Sequence, residues 1–108
     1  MKSYKVRITE SALKDMESIH EYICGVLLAP EAARAQLNRI ADGIRSLDTY
    51  PERFVVFESE PERSWGMRRM IVDNYIICYL IDENAVIVTD VLYGPADVHS
   101  ILIERHYK

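Results

Sequence analysis

The spacing of apolar positions along this chain begins at two, lengthens to about 3.6 and returns to two before a short final helix. Tyr4-Lys5-Val6-Arg7-Ile8 alternates, with Tyr4, Val6 and Ile8 on one face and Lys5 and Arg7 on the other, as in a short strand. Beyond it, Ala12, Leu13, Met16, Ile19, Ile23, Val26 and Leu27 recur at intervals of three and four. That stripe predicts an amphipathic helix over residues 10–28, with Thr9 as its N-cap and Glu10 near its positive end. Gly25 weakens the last turns by about 1 kcal/mol relative to Ala. Pro30 suits the first turn of a second helix, whose narrow seam is Ala33, Leu37, Ile40, Ile44 and Leu47. So short a connection makes the two an antiparallel hairpin with Ile40 near its centre.

The second helix ends at Asp48-Thr49-Tyr50-Pro51, because the residue before a proline is pushed out of helical geometry. Residues 51–64 keep no period, and Pro61 excludes a central strand, so they read as a loop pinned by Phe54 and Phe57. Residues 65–94 are three apolar, β-branched runs separated by Asp73-Asn74 and Asp82-Glu83-Asn84, the pattern of consecutive antiparallel strands. A two-residue turn at Asp73-Asn74 pairs Val72 with Tyr75, Met70 with Ile77 and Arg68 with Tyr79. Met67, Arg69 and Ile71 then share the other face with Ile76, Cys78 and Leu80. That second face is the more apolar and is expected to meet the core, leaving the Arg68–Tyr79 face open to a ligand. A short helix follows near Pro95, with Val98, Ile101 and Leu102 at helical spacing and Ile101, Leu102 and Ile103 partly docked, and Arg105-His106-Tyr107-Lys108 as a polar tail. The order is strand, helix, helix, three-strand antiparallel meander, short C-terminal helix: an α+β fold with the helix hairpin packed on the sheet.

Composition narrows the class. The 108 residues suit one domain, 1–108, able to bury a core without disulfides or metal. Hydrophobic residues at 49% and charged residues at 28% are those of a soluble globular chain. A net charge of −4 argues against a general polyanion binder, although it leaves room for a local basic patch. No apolar run approaches the roughly 20 residues of a membrane span, and the first residues lack a signal-peptide core. Cys24 and Cys78 lie in apolar segments without CxxC spacing, which implies reduced thiols and a cytoplasmic location.

Candidate chemistry is sparse. There is no glycine-rich phosphate loop, no zinc pattern and no implied cofactor. Asp97, His99 and His106 would meet at a metal only if the tail folded back. Between Arg63 and Arg69 stand three arginines and no acid. Arg68 and Arg69 point to opposite faces of one strand, so one could grip phosphate or carboxylate, with Tyr75 and Tyr79 alongside for stacking. Arg63, Arg68, Arg69, Tyr75 and Tyr79 are therefore the candidate partner-binding residues. Tyr93, at the end of the last strand, could stack or move a proton, and His106 and Tyr107 are acid–base candidates near the same end.

Several of these segments together resemble the RelE/ParE superfamily of bacterial type II toxin–antitoxin toxins, nearly end to end. They are Leu13, Ile19, Tyr22 and Ile23 in the first helix, Ser46-Leu47-Asp48, Pro51-Glu52-Arg53-Phe54 and Gly66-Met67-Arg68-Arg69-Met70. Val72-Asp73-Asn74-Tyr75-Ile76-Ile77-Cys78-Tyr79 and Val91-Leu92-Tyr93-Gly94-Pro95-Ala96-Asp97 carry it furthest. The resemblance implies a small cytoplasmic toxin neutralised by a cognate antitoxin in a hetero-oligomer, without a membrane. Its target would be DNA gyrase, as for ParE-like members, or messenger RNA in the ribosome, as for RelE-like ribonucleases. Where those ribonucleases carry arginine or other basic residues, this chain has Ile76, Asp90 and the pair Pro95-Ala96. Metal-free RNA cleavage needs cations beside the phosphate and a group to move the 2′-hydroxyl proton. Growth inhibition by protein binding, in the ParE manner, or an attenuated activity is therefore the first expectation. An mRNA interferase using Arg68, Tyr93, His106 and Tyr107 is the alternative, and a non-toxic antitoxin-binding module is the third.

Overall fold

The computed structural model describes residues 2–106. β1 (Lys5–Ile8) leads into α1 (Glu10–Glu21), and Pro30 opens α2 (Pro30–Arg45). A short helix, α3 (Glu62–Trp65), precedes the strands β2 (Arg68–Val72), β3 (Tyr75–Asp82) and β4 (Ala85–Tyr93), and α4 (Val98–His106) closes the described chain. The expected α+β order is present. The sheet runs β1-β4-β3-β2, with β1 parallel to β4 and the other pairs antiparallel.

Local chemistry sets the boundaries. Thr9 caps α1, its hydroxyl accepting from the Ala12 amide at 3.1 Å. The helix expected over 10–28 is α-helical only to Glu21. Tyr22–Val26 forms a π-helical turn, with the Leu27 amide donating to the Tyr22 carbonyl, and Leu28 takes a positive φ of 54°. Gly66, at φ 76°, ends α3 in the left-handed conformation glycine adopts freely. The region expected to be plain loop thus holds α3 and a 3₁₀ turn at Pro51–Arg53, while Phe57 is buried as expected of its anchor.

The β2–β3 register is the expected one, Arg68 opposite Tyr79, Met70 opposite Ile77 and Val72 opposite Tyr75. The face expected to meet the core does meet one, but the Arg68–Tyr79 face, expected to be open to a ligand, is buried as well. Tyr79, Ile77 and Met70 lie under the α1–α2 hairpin in a core with Ile40, Ile44, Leu47, Val86 and Val88. The opposite face is covered too: Met67, Cys78, Leu92 and Phe57 pack beneath Val98 and Leu102 of α4. Apolarity alone could not choose between faces because the sheet is buried on both, in three layers. α2 crosses β2 closely at Gly43, where an added Cβ would lie 3.0 Å from Cγ2 of Val72.

The α2 seam is correct at Ala33, Ile40, Ile44 and Leu47, all buried. The α1 stripe is only partly so. Leu13, Val26 and Leu27 are exposed, because α1 rolls Ala12 onto the sheet and its π-helical end projects beyond it.

Candidate functional site

Arg68 does not face an open ligand surface. Its Nη1 donates to the carbonyls of Phe54 at 2.6 Å and Glu52 at 3.2 Å, stitching the 51–57 loop to β2. Beneath it, Tyr79 is fully buried and donates from Oη to the Pro51 carbonyl at 2.6 Å. Burial pushes its phenol up to about 12. Tyr79 is therefore a core residue rather than a stacking platform for a partner. Arg69, on the other face, lies 5.4 Å from the centre of the Phe57 ring. Arg63 is exposed on α3.

Tyr75 and Tyr93 come together at the opposite end of β3 and β4, their ring centroids 5.8 Å apart. They stand at one end of a groove of about 690 Å³ walled by Ile19, Tyr22, Ile23 and Leu27, with Gln36 and Arg39 among its polar lining. Burial, followed by the nearby Tyr93 and Tyr22, raises the Tyr75 phenol above its ordinary range. Tyr93 is 51% exposed and Tyr22 is 54% exposed. Arg39 donates to Asp73 at 2.7 Å and Gln36 to the same oxygen at 2.9 Å, so the groove's cation is already paired. Beside the groove, Val26, Leu27 and Leu28 present an exposed apolar tip.

The α4 face holds a third cluster. A β-bulge at Thr89 sets Asp90 opposite Cys78 while Val88 stays opposite Tyr79. This turns Asp90 away from the hairpin core and toward α4. Asp90 is fully buried, and its Oδ1 accepts from Arg105 Nη1 at 3.0 Å. Its Oδ2 accepts from Thr89 Oγ1 at 2.7 Å and lies 2.8 Å from Nε2 of His106. Arg105 also grips Asp15 of α1 with both Nη atoms at 2.9 Å. Those bonds, first Asp15 and then Asp90, raise the guanidinium's affinity for its proton despite burial. Asp15 in turn accepts from the Val91 amide at 3.0 Å, just past the end of β1 where the outer edge of β4 loses its neighbour. At the other end of α4, His99 Nδ1 lies 2.6 Å from the buried Glu62 carboxylate, which also accepts from Ser59.

These pairings separate the three residues considered for a metal. Asp97 bonds Ser100, His99 meets Glu62 and His106 meets Asp90, and no metal-binding group forms among the described residues. Arg105 and His106, expected in a polar tail, instead form the last turn of α4 and are held by Asp15 and the buried Asp90. Tyr107 lies outside the described residues. Tyr93 and His106 sit on opposite faces of the sheet, since Tyr93 follows the hairpin side and Asp90 the α4 side. They therefore do not form one acid–base pair. Sequence reasoning missed Asp15 and Glu62, and saw Asp90 only as a departure from a pattern. An acid in the middle of an apolar strand was the available signal, since such a carboxylate is buried only with partners.

The model of the family described as ParE toxin of type II toxin–antitoxin system, parDE, matches residues 6–97. The chain belongs to this family of toxins. Comparison with curated proteins gives no significant match. Among solved structures, the chain is similar to a chromosomal ParDE system from P. aeruginosa, with a TM-score of 0.71 and 17% identity over 84% of this chain and 96% of that one. It is also similar to the RelBE2 toxin–antitoxin complex from Mycobacterium tuberculosis, with a TM-score of 0.60 and 20% identity over 86% and 93%. At these identities the likeness is one of fold. In this ParE-family toxin, α4 begins just beyond the family match, so Arg105 and His106 lie outside it. No helix among the described residues is long and apolar enough to cross a membrane.

Proposed function

We propose that this toxin is neutralised by a cognate antitoxin and acts in the cytoplasm by binding a protein target, DNA gyrase, rather than by cutting RNA. One observation carries the choice: the guanidinium and imidazole groups nearest an RNA-cutting arrangement are engaged by the protein's own acceptors. Arg68 is bonded to loop carbonyls, Arg105 to two aspartates, and His106 to Asp90. What remains outside is the kind of surface proteins recognise: exposed tyrosines and aliphatic side chains around a groove, with Arg63 and Arg69 as peripheral cations. Tyr75 and Tyr93 are the proposed centre of partner contact, and the whole chain acts as one unit.

The experiment is a direct comparison on purified protein. Inhibition of gyrase-catalysed supercoiling, relieved by the antitoxin, supports the reading. Cleavage of messenger RNA on translating ribosomes without any effect on gyrase overturns it in favour of the RelE-like alternative. Full growth without arrest on induction of folded protein would instead leave the non-toxic module.

A further inference from the structure

α4 is too short to be helical by itself, since isolated helices below about 12 residues are marginal in water. Its fastening is unusual in composition. Val98 and Leu102 are its buried apolar residues, whereas three carboxylates from three other elements hold its ends. Glu62 of α3 takes His99, Asp15 of α1 takes Arg105, and Asp90 of β4 takes both Arg105 and His106. Glu62 and Asp90 are completely buried, and the Asp15 side chain is 11% exposed. The guanidinium of Arg105 and the imidazoles of His99 and His106 thus satisfy acids that lie in the body of the fold, and the segment lies beyond the part of the chain shared with the ParE family.

We propose that α4 is a charge-latched strap that opens as a unit while the sheet and the α1–α2 hairpin stay folded, uncovering the apolar face around Met67, Cys78 and Leu92. The hairpin core needs nothing from α4, because it is built from residues 4–91 on the opposite face of the sheet. A short helix at the end of the fold, whose own buried apolar side chains are Val98 and Leu102 and whose ends are held by polar groups that water can take over together on opening, belongs to the low-stability end of a native protein. Arg105 is the keystone, since among the described residues it alone hydrogen-bonds α4 to both α1 and β4.

Cys78 reports the opening, because it is fully buried beneath α4. The full-length chain carrying Cys24→Ser would be labelled with a thiol reagent across a series of low urea concentrations. Strap opening exposes little surface, so the labelling rate should be nearly independent of urea at first, then steepen near global unfolding. Arg105→Gln should raise the flat part of that curve at least tenfold, and His106→Gln should raise it less. A rate that follows the global unfolding slope at every urea concentration would overturn the strap, in wild type and without any latch variant. An unchanged flat rate in Arg105→Gln would overturn the latch.

Discussion

The hydroxyl of Tyr79 donates a 2.6 Å hydrogen bond to the carbonyl of Pro51, which lies 28 residues earlier in the chain. This buried bond ties the loop after α2 to the centre of the sheet, and Arg68 reinforces the attachment from above. Tyr79→Phe keeps the ring and strands the carbonyl, so it should cost about 1–3 kcal/mol of unfolding free energy. Urea titration would measure it, and an unchanged midpoint would show that water replaces the hydroxyl.

Ile40 sits at the centre of the hairpin core with no exposed surface. Truncation to Ala leaves a cavity between α2 and the sheet, and should cost about 2–5 kcal/mol. The thermal midpoint should fall by several degrees or more, with far-UV circular dichroism of the folded state unchanged.

Thr89 supplies a hydroxyl to Asp90 at 2.7 Å inside the fold. Thr89→Val conserves the shape and removes that donor, leaving the carboxylate to Arg105 and His106. A hydrogen bond to a charged group is worth about 1.5–3 kcal/mol, so a loss near that size is expected in denaturant titration.

Glu62 gives a pH dependence with a definite sign. Burial opposes its ionisation, but hydrogen bonds from His99, the backbone and Ser59 prevail and hold its pKa below the ordinary value. A folded pKa below the unfolded one means the unfolded chain binds the proton first on acidification. The stabilisation is complete above the ordinary glutamate value of 4.5 and is lost as pH falls through the lower folded value. The thermal midpoint should therefore drop across that acid range, and drop less steeply in Glu62→Gln.

Tyr93 is half exposed, beside Tyr75 at the groove. Tyr93→Ala should leave the thermal midpoint nearly unchanged and weaken binding of the cognate antitoxin or the gyrase target at least tenfold. Calorimetric titration of the folded variant would check it, and wild-type affinity for both would move the contact surface elsewhere.

The elements were largely legible because their signals are local. A two-residue turn at Asp73-Asn74 dictates that Arg68 faces Tyr79, and Pro30 and Thr9 mark helix starts by their own backbone chemistry. The α2 seam declared its buried face because only one side of that helix is apolar. From the residues alone, an α+β chain with a helix hairpin and a meander was determined, as was the presence of Ile76, Asp90 and Pro95-Ala96 where RNA-cutting relatives carry basic residues. Only the tertiary structure decided which face of the sheet each residue meets. Both faces are buried, so the apolar pattern carries no preference between them, and the bulge at Thr89 breaks the alternation that would have placed Asp90. The same holds for Asp15, Glu62, Arg105 and His106. Their meaning lies in pairings across 15 to 90 residues, which arise from packing α4 against α1, α3 and β4 and which no local period encodes.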